Sequence, residues 1–200
     1  MATRLKIMQA GEQVLRQKAQ ALTADEIRSR EVQQLIEMMR ETMRDAPGVG
    51  LAAPQIGLSL QLAVIEDPVN PRADLSSEAL AERERTHVPF HVIINPEIYL
   101  EPDERVEFFE GCLSVTGFAA LVPRARVVKV ECLNEKAEAI TINARGWYAR
   151  ILQHEIDHLN GVLYLDRMHS RSFMTAENLQ KYWATQKIPA VREALSIGNR

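Results

Sequence analysis

Apolar residues return at helical spacing between Thr23 and Asp45, where Val32, Leu35, Ile36, Met39 and Met43 fall on one face. The spacing predicts an amphipathic helix, begun near Thr23 or Arg28. Asp45-Ala46-Pro47-Gly48 stops it, since proline cannot continue a helix. Leu60 to Ile65, His91 to Asn95, Arg105 to Phe109, Leu121 to Leu133 and Ala139 to Ile142 read as strands from their apolar and β-branched content. Trp147 to Asn160 reads as a second long helix, closed by Asn160-Gly161. Glu66 to Pro89 is polar, holds Pro68, Pro71 and Pro89, and has one short helical stretch near Ser76–Arg85. It reads as a long surface insertion and not as a domain linker. Thr175 to Arg200 is a charged, partly helical tail. No repeat is visible, and strands do not alternate regularly with helices. The order therefore predicts an α+β fold, not a doubly wound sheet.

Composition narrows the class. A chain of 200 residues builds one domain with a sizeable core. A net charge of −3 argues against a general DNA or membrane-surface binder, which carries a basic excess. No apolar run approaches the ~18 residues needed to cross a bilayer. The segment from Met1 to Met8 runs into charged sequence and reads neither as a secretory signal nor as an Arg-rich transit segment. Of the two cysteines, Cys132 sits in the strand-like Val127 to Leu133 and reads as a small core residue. Cys112 stands between Gly111 and Leu113 in an irregular stretch and asks for another explanation. A reducing compartment fits both.

The chemistry begins at Gln153-His154-Glu155-Ile156-Asp157-His158. Two histidines four apart share a helix face, so both rings can reach one ion. Glu155, beside one ligand, can reach a water at that ion without ligating. The bland alternative is a pair of surface histidines, but Leu152, Ile156 and Leu159 make the helix partly buried. Asp157 is either an orienting carboxylate behind a ligand or an exposed one. A catalytic site usually has three protein ligands and an open position. Cys112, Glu177, His169, His87 and His91 are the candidates for the third. Glu177 lies 19 residues after His158, a spacing that some two-His zinc peptidases use. The residues favour Cys112, because thiolate is the softer ligand and Gly111 permits close approach. A zinc endopeptidase using Glu177 stays open, as does a non-catalytic metal binder; the latter would be expected to lack a base such as Glu155.

Gly48 to Gly57 contains a G-x-G-x-x-A pattern. It follows a helix instead of a strand, and Pro54 would interrupt a helix starting there, so a dinucleotide loop is rejected. The segment suits a backbone wall against a ligand, with Gln55 as a hydrogen-bond donor, or a plain tight turn before a strand.

Gly48 to Gln55, Glu110 to Ser114 and Gln153 to His158 together resemble the peptide deformylase family, which has three such segments in this order. The resemblance runs from about Val14 to Phe173, suggesting a catalytic domain at 1–174 and a tail at 175–200. Gly117 to Arg124, Gly146 to Arg150 and the Glu66–Pro89 insertion look like its mitochondrial-type branch. The resemblance implies antiparallel sheets packed around a central metal-binding helix, with an N-terminal helix. It implies removal of the formyl group from N-formylmethionine on nascent peptides, with contact to the ribosome. It implies one divalent metal ion per chain on Cys112, His154 and His158: Fe²⁺ in the cell, or Zn²⁺, Ni²⁺ or Co²⁺ in a purified sample. Glu155 is then the general base, with the Gln55 amide and the Leu113 N–H as oxyanion donors. Gly50 would bond the substrate backbone, and Val49, Leu113, Ile151 and the His154 ring would line the methionine pocket. The expected location is a bacterial cytoplasm, or an organellar matrix after loss of a transit peptide. An ion pair between Glu110 and Arg124 is also expected, holding the Cys112 segment against the sheet.

Overall fold

Two caps divide what the periodicity presents as one helix. In the computed structural model, which describes residues 4–46, 48–68, 77–101 and 104–198, α1 (Ala24–Arg28) starts at Thr23 and α2 (Arg30–Asp45) at Ser29. The Thr23 hydroxyl accepts from the Glu26 N–H, and the Glu26 carboxylate accepts from the Thr23 N–H. Ser29 is extended and its hydroxyl accepts from the Val32 N–H, so the chain turns there before the second helix. The buried face of α2 is the predicted one, Val32, Leu35, Ile36, Met39 and Met43, with Thr42 added.

That face lies on a five-stranded antiparallel sheet with strand order β1 (Gly50–Ala52), β2 (Leu62–Asp67), β3 (Val88–Leu100), β6 (Val127–Leu133) and β7 (Ala139–Arg145). Successive residues of a strand point to opposite faces. Leu62, Val64, Val92 and Ile94 join the α2 cluster, while Ala63, Ile65 and Ile93 join a second cluster with α4 (Gly146–Leu159). The central strands are covered on both sides, which explains why Leu62 to Ile65 shows no polar alternation.

A second antiparallel sheet has order β4 (Arg105–Cys112), β5 (Val115–Ala125) and β8 (Met174–Thr175). The strand expected from Leu121 to Leu133 is therefore two strands in two sheets. They part at Arg126, whose N–H donates to Glu104 O at 2.8 Å. β4 also runs further than expected, and Cys112 ends it after a bulge at Gly111/Cys112 instead of lying in irregular chain.

The Glu66–Pro89 insertion is not all surface. Its first residues end β2, α3 (Ser77–Glu82) follows, and Asp67 is buried against Arg85. Pro71 and the rest of 69–76 lie outside the described residues. The tail is partly helical as expected, through α5 (Ala176–Asn178), a π turn at Leu179–Trp183 and α6 (Ile188–Ala194). Val191 is buried, and Arg192 bonds both oxygens of Glu107 at 2.6 and 2.7 Å.

Candidate metal centre

α4 carries His154 and His158 one turn apart, with ring centroids 5.0 Å apart. The end of β4 brings Cys112 to them, its Sγ 3.2 Å from His158 Nε2. One ligand atom from each of the three lies within 4.8 Å of the others. Thiolate and imidazole ligands at about 2.1–2.3 Å from one tetrahedral ion sit roughly 3.5 Å apart, so the set fits a single ion.

Of the two imidazoles, His154 is held from behind. His154 Nδ1 bonds Glu110 Oε2 at 3.0 Å, which turns Nε2 toward the centre. Burial alone would push the Glu110 carboxyl up. The Arg124 charge, with bonds from His154 and Arg124, outweighs it and holds Glu110 well below the usual carboxylate range. The expected Glu110–Arg124 pair is present and bidentate, at 2.9 and 3.0 Å. Arg150 also reaches Glu110, at 2.6 Å, a partner the sequence reading did not assign. Arg150 precedes His154 by four on the same helix, so the shared face was legible. Burial, then the His154 charge, pushes His158 well below its ordinary pKa, toward the neutral form that ligates. Its Nδ1 is buried with no partner among the described residues.

Asp157 takes neither expected role. It is buried, and it bonds Arg124 and Arg167 instead of a histidine.

Gln55 is buried in a short 3-10 turn, Ala53–Ile56, that follows β1. Its Oε1 accepts from Ala52 N–H at 2.8 Å. That bond fixes which end of the amide faces inward. Nε2 lies 3.5 Å from Cys112 Sγ and 3.2 Å from Ser114 Oγ. The segment is thus an edge strand and a turn, and Gln55 presents its donor to the centre.

Glu155 lies against Gly50. It is 3% exposed, and its Oε2 has no partner among the described residues. Burial raises its pKa to about 7. A Cβ at Gly50 would stand 2.2 Å from Glu155 Oε1 and 2.8 Å from its Cγ, so only glycine leaves the carboxylate its place. Gly50→Ala is therefore expected to keep the metal and lower kcat about 10²-fold, the usual cost of a misplacement near 1 Å. Metal content and turnover on one sample check it; unchanged turnover would mean that Glu155 tolerates displacement.

A cavity of about 390 Å³ opens on the centre. Val49, Gly50, Leu113, Ile151 and His154 line it, with Gln55, Cys112 and Glu155. The sequence reading missed Phe109, Trp147 and Arg85 in its wall. The other third-ligand candidates are elsewhere. His91 bonds Pro89 O and the Tyr148 hydroxyl, each at 2.9 Å, and His169 bonds Glu107 at 2.8 Å. His87 and Glu177 are exposed. Both cysteines are free, and burial pushes the Cys132 thiol up to about 11, as suits a core residue.

The profile of the polypeptide deformylase family matches residues 4–173. The chain is 46% identical to the chloroplastic peptide deformylase 1A of Solanum lycopersicum over 86% of its own length and 62% of that protein's. It is 45% identical to peptide deformylase 1 of Bifidobacterium longum, over 92% of this chain and 82% of that one. It is 36% identical to the human mitochondrial peptide deformylase, over 88% and 71%. Among solved structures, a Met-Ala-Ser-bound peptide deformylase from Acinetobacter baumannii matches with a TM-score of 0.74 and 34% identity, over 84% of this chain and all of that one.

Proposed function

The chain belongs to the polypeptide deformylase family, and from that premise we propose that it hydrolyses the formamide of N-formylmethionine at the start of newly made polypeptides, releasing formate. The observation that carries this is the Cys112, His154 and His158 cluster with Glu155 buried beside it and the Gln55 amide facing it. Similarity to a relative whose structure holds Met-Ala-Ser, a tripeptide with the unformylated end, supports a peptide N-terminus as substrate.

Cys112, His154 and His158 would hold a divalent ion, which would supply a water whose pKa is lowered from ~15.7 toward ~7 and a Lewis acid for the formyl carbonyl. Glu155 takes a proton from the attacking water and returns it to the amine nitrogen as the C–N bond breaks. The Gln55 Nε2 and the Leu113 N–H donate to the carbonyl oxygen as it gains charge, each donor worth ~3 kcal/mol. β1 is the edge of its sheet, so the side of Gly50 turned away from β2 offers main-chain groups to the substrate backbone. Val49, Leu113, Ile151 and the His154 ring receive the methionine side chain.

The metal in the cell is Fe²⁺ in this reading. One thiolate and two imidazoles also accept Zn²⁺, Co²⁺ or Ni²⁺. Relatives named as chloroplastic and mitochondrial, and one from Bifidobacterium longum, support an organellar matrix or a bacterial cytoplasm; a nascent-chain substrate would place the enzyme beside the ribosome. No helix among the described residues is long and apolar enough to cross a membrane.

Formate and free amine measured with N-formyl-Met-Ala-Ser and metal-loaded protein test the proposal. Both should appear in equal amounts, and Cys112→Ala should lose the bound ion and the activity together. An ion retained without Cys112, with cleavage inside the peptide, would replace this reading by the endopeptidase.

A further inference from the structure

We propose that Arg85 closes the far end of the methionine pocket and sets the length of the first side chain the enzyme accepts; this rests on the deformylase reading.

Trp147, Ile151 and His154 stand on one face of α4 and all line the cavity. His154 lies seven residue steps along the helix from Trp147, about 10 Å at 1.5 Å per residue. A side chain entering beside His154 and running along Ile151 therefore heads for Trp147. Arg85 stands there, its guanidinium carbon 5.5 Å from the indole centroid, and it also lines the cavity.

This guanidinium is a fixed wall. Its Nε and Nη2 hold Asp67 at 2.7 and 2.9 Å, and the two side chains are 10% and 1% exposed. A bidentate pair of this kind has one orientation, unlike a solvated surface cation. The segment that carries Arg85 is tied to the first turn of α4. Arg83 O accepts from Trp147 N–H at 2.9 Å, and the Arg83 guanidinium carbon lies 5.3 Å from the indole centroid. At Gly146, with φ +59°, a Cβ would meet Glu84 Cβ at 2.5 Å, so glycine is required for this approach. The stretch between β2 and β3 thus builds part of the active-site wall, and Arg85 is its specificity-determining residue.

The test compares kcat/KM for N-formyl-norleucyl-Ala-Ser, whose side chain matches methionine in length, with N-formyl-2-aminooctanoyl-Ala-Ser, two methylenes longer. It uses the metal-loaded full chain as wild type, Arg85→Ala and Asp67→Ala/Arg85→Ala. The double variant leaves no buried carboxylate without its cation. Each buried methylene is worth about fourfold. Removing the wall should raise the long-to-short ratio at least tenfold in both variants, whatever happens to the absolute rates. A ratio within twofold of wild type, or an equal fall on both substrates, would overturn the proposal, since a purely structural role moves both alike. Formate released by wild type with an unchanged ratio in the variants refutes the ruler alone. No formate from metal-loaded wild type refutes the deformylase reading itself.

Discussion

Glu155→Ala is expected to leave one metal ion bound per chain and to abolish turnover. Glu155 follows His154 by one residue, so its side chain leaves the helix about 100° from the His154–His158 stripe. That direction takes it to the side of the centre, against Gly50, and not into the ligand set. The ligands that hold the ion, one thiolate and two imidazoles, are untouched by the substitution. What is lost is a buried carboxylate with a free oxygen and a pKa that burial has raised to about 7, near where an acid–base catalyst works best. A positioned base contributes ~10²–10⁴-fold, and here one group serves both the proton taken from water and the proton given to the amine. The loss should therefore sit at about 10⁴-fold or beyond. Metal content and formate release on the same purified sample decide it. Near-normal turnover in metal-loaded protein would remove Glu155 from the mechanism, and loss of metal would make it a ligand or a structural group.

The ligand set was legible because its parts are local. A two-His spacing on a helix is written in five residues, and Gly111-Cys112 marks a thiol for which a core role is a poor explanation. What lies behind the ligands was harder to read. Asp157, between the histidines in sequence, could be read as an orienting carboxylate or as an exposed one, and it is neither, because the helix turns it toward Arg124 and Arg167. The carboxylate that orients His154 is Glu110, which only the docking of β4 on α4 brings there. Boundaries failed where one pattern covered two elements. Ser29 and Arg126 each interrupt a run whose periodicity or apolarity carries on past them. The Glu66–Pro89 stretch looked like a solvated insertion because it is polar. Its buried part depends on a pair between Asp67 and Arg85, 18 residues apart, which no local pattern reveals.

Removing Glu110 should cost the most stability of any single change at this centre. Its two oxygens receive Arg124 twice, Arg150 once and His154 once. The side chains of both arginines are 2% exposed. Arg124 keeps Asp157, but Arg150 keeps no carboxylate among the described residues, being left with the carbonyls of Val122 and Val106 and the rings of Phe108 and Trp147. Glu110→Ala therefore strands a buried positive charge, and breaking such a pair costs about 3–5 kcal/mol. In a domain of this size each kcal/mol moves Tm by about 2–4 °C, so the melting point should fall by roughly 10 °C or more. His154 loses the acceptor for its Nδ1–H in the same step, and metal affinity should fall ~10–100-fold. A second substitution separates the two effects. Glu110→Ala with Arg150→Leu removes the stranded cation and should recover part of the lost Tm, while the metal affinity stays low because His154 is still unsupported. Thermal melts and metal titration of both variants check this. A Glu110→Ala protein that melts within 2–3 °C of wild type, or a double variant that regains metal affinity along with stability, would show that the carboxylate neither balances the arginines nor orients His154.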